Sequence, residues 1–146
     1  VDLIRNDLSQ VSSAVSVTRF RYVDKIRTDS KTLLQVSSEI VGNLEANNFS
    51  CLGDILVKLL PAGSVSGAPK PKTLEIIRSV EGGERGYYTG VFGVFDGNTL
   101  DSGVMIRFIE QEKGKFYYRS GGGITTQSVV SSEYQEVIDK VYVPLT

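Results

Sequence analysis

Short polar turns between apolar segments are the feature that most constrains how this 146-residue chain can fold. Asp96-Gly97-Asn98 separates two segments rich in valine and phenylalanine, which is the pattern of a β-hairpin. The turn "EQEKGK" at 110–115 then opens a third strand, "GKFYYRSGG". Because neither turn is long enough for a helical crossover, these strands are expected to pair antiparallel.

The rest of the chain predicts helices and two further strands. Residues 11–27 and "LLQVSSEIVGNL" at 33–44 combine β-branched residues with partial alternation, which is typical of strands. Helices are predicted from apolar spacing at 1–9, 51–60 and 73–80, with a Gly-, Ser- and Pro-rich loop at 62–72. A last helix is predicted from about Ser131 to Val141, with a serine N-cap. Together these elements indicate an α+β fold with an antiparallel sheet.

The balance of residue types excludes several classes of function. Lys and Arg together number 16 and Asp and Glu 17, so the net charge is -1, unlike that of a nucleic-acid-binding protein. The sequence has no histidine, and Cys51 is its only cysteine. Internal disulfides, His-dependent triads and the usual zinc sites are therefore excluded. Any acid, base or metal ligand must come from Asp, Glu, Lys, Tyr or the backbone.

The chain shows no pattern of a targeting signal. No apolar run approaches the roughly 18 residues needed to span a membrane, and no basic and apolar leader precedes the folded segments. We therefore expect a cytoplasmic protein with no membrane or nucleic-acid partner. Because the sequence begins at Val1 inside the amphipathic segment "VDLIRNDL", we also expect it to be truncated from a longer chain.

Glu133 and Glu136 are the candidate metal ligands. Their spacing of three residues places both carboxylates on one face of a helix, where they repel each other unless a cation or basic group lies between them. Mg2+ prefers such oxygen ligands and takes few protein carboxylates beside water and substrate. The alternative is a solvated helix face whose charge favours the helix N-terminus.

Four further features indicate a site for an anion, each with a structural alternative. The glycine run at 121–123 lets backbone N–H groups approach an anion, or it forms a flexible turn. Arg107 lies in the apolar strand segment "VMIRFIE" and needs a carboxylate, from a ligand or from an internal glutamate. Tyr88 offers a phenolic hydrogen bond or simply packs. Lys140 balances charge in a site or forms an ion pair with Glu136.

Six segments taken in order resemble the chorismate-binding enzyme family. They are "VDLIRNDL", "GSVSGAPKPKTLEIIRSVE", "RGYYTGVFG", "VMIRF", "SGGGI" and "SEYQEVIDK". The family includes anthranilate synthase component I, aminodeoxychorismate synthase component I, isochorismate synthase and salicylate synthase. The resemblance implies that residues 1–146 are the C-terminal part of a single chorismate-binding catalytic domain. That domain is a layered antiparallel β structure with flanking helices.

The resemblance also implies how the substrate is held. Chorismate is a dicarboxylate, and the family positions that bind it match Tyr88, Arg107 and the backbone amides of Gly121, Gly122 and Gly123. Ser64 matches a small hydroxyl position near the substrate, and Lys140 matches a lysine of the site. All of these roles come from the resemblance to the family.

A magnesium ion is implied in the same way. Glu133 and Glu136 match the second of two glutamate pairs that bind Mg2+ in the family. The ion would bridge to the ring carboxylate of chorismate and orient the ring for nucleophilic attack. The first glutamate pair and the residues that select the nucleophile would lie upstream of "VDLIRNDL". We therefore expect half a metal site, with the main acid and base groups upstream and no activity in the isolated chain.

One residue departs from the family pattern inside the chain. Gln35, in "LLQVSSE", stands where the family has a histidine in an "HLVS"-like motif. Glutamine forms hydrogen bonds but does not titrate near neutral pH. Either this subfamily does not need the histidine or its activity differs.

The leading prediction is part of aminodeoxychorismate synthase component I, a lyase- or transferase-type enzyme that adds ammonia to chorismate for p-aminobenzoate and folate synthesis. Anthranilate synthase component I and isochorismate or salicylate synthase are the alternatives within the family. A glutamine amidotransferase subunit is the implied source of ammonia. A non-catalytic module that binds a ligand or partner, and a purely structural role, also stay open. Because its sheet edges would lack partners, the isolated chain is expected to associate or exchange strands.

Overall fold

The computed structural model describes residues 1–27, 32–44 and 48–141 of the chain. Two compact units are present, one made of Val1–Glu84 with Phe95–Leu100 and the other of Arg85–Val94 with Asp101–Thr146. Within the described residues, six strands pair into three two-stranded sheets, and helices lie before β1, between β2 and β3, and after β6 in sequence. The predicted α+β class with antiparallel strands is confirmed.

The longest sheet is a ribbon of two strands. β1 (Ala14–Arg27) pairs antiparallel with β2 (Thr32–Asn43), which confirms both predicted strands. The register shifts near Arg21, whose φ is +48° and whose backbone N–H donates to Ser38 Oγ at 3.0 Å. Such a bulge bends a strand and breaks its alternation, which is why the apolar pattern of β1 alternates over only part of its length.

The described part of the first unit contains four α-helices. They are α1 (Asp2–Leu8), α2 (Leu52–Leu59), α3 (Gly63–Ser66) and α4 (Lys70–Glu81), and a 3-10 helix at Asn48–Cys51 leads into α2. The helices predicted at 1–9, 51–60 and 73–80 are confirmed.

The loop predicted at 62–72 is only partly correct. It contains the single turn of α3, and α4 begins at Lys70, three residues earlier than predicted. Pro71 is compatible with this early start because it lies in the first turn of α4, where no backbone N–H is needed for the helix. Gly82 ends α4 in the left-handed conformation, with φ +64°.

The predicted hairpin around Asp96 is confirmed as β3 (Val91–Phe95) and β4 (Leu100–Val104). The Asp96 carboxylate accepts hydrogen bonds from the backbone N–H of Thr99 at 2.6 Å and of Asn98 at 2.8 Å. These bonds favour the charged form, so they hold the pKa of Asp96 below its usual value. The side chain thus closes the turn that the sequence pattern predicts.

A second hairpin follows, but it begins later than predicted. β5 (Phe108–Glu112) pairs antiparallel with β6 (Lys115–Arg119). The prediction that Arg107 lies on a strand is wrong, because residues 105–107 form a bend between β4 and β5. There the Met105 N–H donates to the Gly90 carbonyl at 2.9 Å, and the Met105 carbonyl accepts the Thr89 N–H at 2.8 Å. Because Met105 pairs with the turn before β3, β4 and β5 are two separate strands and not one continuous strand.

The last helix, α5, spans Val130–Asp139. The predicted serine N-cap is wrong, since Val129 holds that position and no side chain caps the helix. Ser131 lies inside the first turn. The helix also ends two residues earlier than predicted, with Lys140 at its C-cap. The nearby hydroxyl of Ser128 is engaged with Glu133 and with the preceding loop.

The described residues contain no buried hydrophobic side chain. Their buried residues are Asp7, Gly63 and Ser66. Large apolar side chains lie in solvent on the ribbon, the hairpins and α5, among them Phe20, Leu34, Val36, Phe92, Val94, Phe116, Val130 and Tyr134. No described helix has the length and apolar character required to cross a membrane.

Candidate functional site

Tyr88 and the glycine run are brought together in the second unit. Tyr88 lies in the turn at 86–89, where its backbone N–H donates to the Arg85 carbonyl at 3.0 Å. Its hydroxyl oxygen is so close to Gly121 that an added Cβ would overlap it, and the Tyr88 Cζ would be 3.0 Å away. Gly121 has no positive φ. Glycine is therefore required here by the close approach of the phenol and not by the backbone conformation.

The next glycine faces the first carboxylate of α5. A Cβ added to Gly122 would lie 3.8 Å from Glu133 Oε2, which is ordinary contact. The other oxygen, Glu133 Oε1, accepts a hydrogen bond from Ser128 Oγ at 2.6 Å. Ser128 Oγ in turn accepts the backbone N–H of Thr125 at 3.0 Å. The loop after the glycine run thus orients Glu133, and a phenol, glycine backbone and a carboxylate lie near one another.

Glu136 and Lys140, which lie one helical turn apart, form an ion pair. This ion pair is one of the two alternatives predicted for Lys140. Lys140 is half-buried, and its carbonyl accepts a hydrogen bond from the Tyr118 hydroxyl at 3.3 Å. In the part of the chain that the structure describes, no three His, Cys, Asp or Glu side chains gather into a metal-binding group. The carboxylates of α5 are the donor type that Mg2+ prefers, but they are fewer than a complete set.

Arg107 is exposed in the bend between β4 and β5. Among the described residues, no hydrogen bond or ion pair to its guanidinium is present. Glu110, the glutamate three residues along the chain, accepts from Arg119 Nε at 2.5 Å and is therefore occupied. Met105, two residues before Arg107, hydrogen-bonds to the backbone of the turn that carries Tyr88. Within the described ranges, the guanidinium donors of Arg107 therefore have no protein acceptor.

Ser64 and Gln35 belong to the first unit, whereas the other predicted site residues belong to the second. Ser64 is exposed on α3, directly after the buried Gly63. Gln35 is exposed on β2, opposite Asp24 of β1.

Asp7 was not predicted from the sequence, although it is the one acidic side chain that the described residues bury. Asp7 Oδ1 pairs with Lys70 Nζ at 2.8 Å, and Oδ2 accepts the Gly63 N–H at 2.6 Å. These partners lie 63 and 56 residues along the chain. No local pattern distinguishes such an aspartate from a surface one. Ser128 was not predicted either, because a serine in a loop is usually solvated.

Comparison with known proteins agrees with the resemblance. A family model described as chorismate binding enzyme matches residues 1–146. A protein of Haemophilus influenzae named "Uncharacterized PabA-like protein" is 57% identical over 145 residues, covering 99% of this chain and 44% of that protein. Anthranilate synthase component 1 of Archaeoglobus fulgidus is 39% identical, covering 97% of this chain and 33% of the relative. Aminodeoxychorismate synthase component 1 of Bacillus subtilis is 35% identical, covering 97% and 30%.

The chain spans less than half the length of these curated relatives. The match to the family is nevertheless continuous, from the first residue to the last. On this basis the chain belongs to the chorismate-binding enzyme family.

Proposed function

We propose that this chain is part of a Mg2+-dependent enzyme that converts chorismate, of the aminodeoxychorismate synthase component I type. The observation that carries the proposal is the arrangement in the second unit, where the Tyr88 hydroxyl lies against Gly121 and Glu133 lies beside Gly122. A phenol, accessible backbone amides and carboxylates in one place suit an oxygen-rich acid bound beside a hard cation. Family membership supports chorismate as that acid.

The substrate contacts follow from the charge of chorismate. The exposed Arg107 guanidinium binds one carboxylate, with the two-pronged geometry that arginine allows. The Tyr88 hydroxyl and the backbone N–H groups of Gly121, Gly122 and Gly123 bind oxygens of the substrate. Lys140 offsets the negative charge around Glu136.

Glu133 and Glu136 would hold the metal ion. Their carboxylates fit Mg2+ in donor chemistry, and the hydrogen bond from Ser128 orients Glu133. Because two carboxylates are an incomplete set, water, substrate or other residues of the protein must supply the remaining ligands. When bound, the ion would neutralise the ring carboxylate of chorismate and favour nucleophilic attack on the ring.

The names of the relatives support an amination reaction. In the proposed reaction, ammonia replaces the ring hydroxyl of chorismate, which leaves as water, and the enolpyruvyl ether is retained. The Bacillus subtilis relative is named for this reaction, at 35% identity. The Archaeoglobus fulgidus relative, at 39% identity, favours anthranilate synthesis as the second candidate. For either reaction we propose a glutamine amidotransferase subunit as the source of ammonia.

Product analysis on the complete gene product that carries this sequence tests the reaction. We expect chorismate, ammonium and Mg2+ to yield 4-amino-4-deoxychorismate by liquid chromatography and mass spectrometry. Anthranilate with released pyruvate would instead assign the second candidate. Isochorismate or salicylate formed without ammonia would exclude both aminations. If chorismate is not converted at all, the proposed enzymatic activity is contradicted and a binding module is favoured.

The metal assignment is tested on the same gene product with Glu133→Ala/Glu136→Ala. Removing both carboxylates should weaken Mg2+-dependent chorismate binding by at least about tenfold, since even indirect contacts to a metal contribute that much. Calorimetric titration of chorismate at several Mg2+ concentrations measures the effect. Glu75→Ala is the matched control, because Glu75 forms an exposed ion pair with Lys72 on α4. Equal binding by the double variant and the control would contradict the assignment.

A further inference from the structure

Thr89, the residue after Tyr88, has a backbone conformation that threonine rarely takes, with φ +65°. A branched Cβ crowds the backbone there, so this conformation costs free energy and persists only where its surroundings impose it. The other non-glycine residues with positive φ that the structure describes are Arg21 and Lys113, and neither has a branched Cβ. Because glycine takes this conformation without steric cost, a threonine at this position calls for a role of its side chain.

The backbone bonds of this turn do not supply that role. The Thr89 N–H donates to the Met105 carbonyl at 2.8 Å, and the Met105 N–H donates to the Gly90 carbonyl at 2.9 Å. The Gly90 N–H donates to the Tyr87 carbonyl at 3.0 Å. These bonds impose the conformation of the turn, but they use main-chain atoms that glycine would offer equally well.

The Thr89 side chain instead holds an arginine against the Tyr88 ring. Arg85 Nη1 donates to Thr89 Oγ1 at 3.3 Å. Arg85 Cζ lies 5.6 Å from the centroid of the Tyr88 ring, within the range of a cation–π interaction. All three residues are half-buried. Both flanks of Tyr88 are therefore fixed, since its ring contacts Arg85 and its hydroxyl lies against Gly121.

We propose that Thr89 and Arg85 are positioning residues, which hold the Tyr88 phenol against the glycine run at 121–123. This inference rests on the proposed function, in which the Tyr88 hydroxyl binds chorismate. The held phenol fixes the spacing between its hydroxyl and the backbone N–H groups of the glycine run. It also loses less conformational freedom when the substrate binds than a mobile phenol would.

Steady-state kinetics of the complete gene product test the proposal. Thr89→Val keeps the size and the branched Cβ of threonine and removes the hydroxyl that Arg85 binds. We expect KM for chorismate to rise about 3- to 10-fold, as one lost hydrogen bond allows. The value of kcat should be retained, because the phenol binds substrate and transition state alike. Thr89→Ser, which keeps the hydroxyl, should retain the wild-type KM.

The same substitution in a Tyr88→Phe background shows whether Thr89 acts through the phenol. Once the phenolic hydroxyl is absent, Thr89→Val should not raise KM further. A rise by the same factor in both backgrounds, or an equal KM for the valine and serine variants, would overturn the proposal. Thr99→Val is the matched control, because it removes an exposed hydroxyl that donates to Asp96 in the turn between β3 and β4.

A measurement without substrate follows the position of the phenol directly. Gly121→Ala forces a Cβ onto the Tyr88 hydroxyl and should lower the urea concentration at the midpoint of unfolding. Thr89→Gly removes the acceptor for Arg85 and the need for a strained backbone, so the phenol can move away from that Cβ. We expect the fall caused by Gly121→Ala to be at most about half as large in the Thr89→Gly background.

Lys113→Gly provides the matched background for that comparison. Lys113 has φ +50°, and its side chain is 90% exposed in the turn between β5 and β6, so glycine relieves similar strain away from Tyr88. Equal falls on Gly121→Ala in the two glycine backgrounds would refute the positioning of Tyr88, even if Thr89→Val does not fold. A wild-type protein that does not convert chorismate would instead refute the proposed function, and with it the substrate role of Tyr88.

Discussion

At the scale of single residues, close approach decides which side chains are allowed. Gly121 is the clearest case, because any Cβ there would overlap the Tyr88 hydroxyl. We expect Gly121→Ala to lower the free energy of unfolding by about 1–3 kcal/mol, the usual cost of overpacking. We also expect it to weaken chorismate binding, because the phenol must move away. Urea unfolding and calorimetric titration measure the two effects.

The same position allows a rescue experiment. Combining Gly121→Ala with Tyr88→Phe removes the overlapping oxygen and leaves the Cζ contact at 3.0 Å, so stability should recover in part while binding does not. Gly53→Ala on α2 is the control, since among the described residues nothing lies within 4 Å of a Cβ added there. A Gly121→Ala protein as stable as the control would place the Tyr88 hydroxyl elsewhere.

At the scale of elements, the loop before α5 controls how its first carboxylate is presented. Ser128 donates to Glu133 Oε1 but does not cap the helix. We therefore expect Ser128→Ala to raise the Mg2+ concentration for half-maximal turnover by about tenfold, as lost contacts to a metal ligand do. Circular dichroism should show the helix retained.

Ser131 provides the matched control for that prediction. It lies exposed inside the first turn of α5, and Ser131→Ala should leave the Mg2+ dependence unchanged. If both serine variants raise the Mg2+ requirement equally, the hydrogen bond from Ser128 to Glu133 does not determine the Mg2+ dependence. Mg2+ titration of the chorismate turnover rate in the complete gene product distinguishes these outcomes.

At the scale of the whole molecule, the described residues bury no hydrophobic side chain. The ribbon of β1 and β2 leaves apolar side chains such as Leu34 and Val36 in solvent, at 70% and 61% exposure. Exposed apolar faces and open sheet edges favour association. We expect this chain by itself to self-associate or exchange strands in a concentration-dependent way, which sedimentation velocity measures.

Charged substitutions on the ribbon of β1 and β2 test whether its apolar surface causes the self-association. Leu34→Lys/Val36→Lys should shift the association to higher concentration, whereas Thr32→Lys, at an exposed polar position of the same strand, should shift it much less. A monomer over the whole concentration range would contradict the prediction. Equal shifts for both variants would indicate a general effect of charge.

Local elements were the predictable part of this fold. The Asp96 hairpin, the ribbon strands and α1, α2 and α4 follow from turn residues and apolar spacing, which act over a few neighbours. Arg107 was placed wrongly because Met105 pairs with the backbone at 89–90 and interrupts an otherwise strand-like run. The predicted start of α5 is wrong because it assumes that a serine side chain caps the helix. Val129 holds the N-cap position, and the Ser128 hydroxyl donates to Glu133.

The antiparallel α+β class, the residue types available for a site and the one-turn spacing of Glu133 and Glu136 all follow from the amino-acid sequence. These properties depend on periodicity and chemistry along short stretches of chain. The contact of the Tyr88 hydroxyl with Gly121, and the burial of Asp7 against Gly63 and Lys70, are seen only in the folded structure. Such contacts join residues far apart in the chain, and their distances are set by the path of the whole backbone and not by any local pattern.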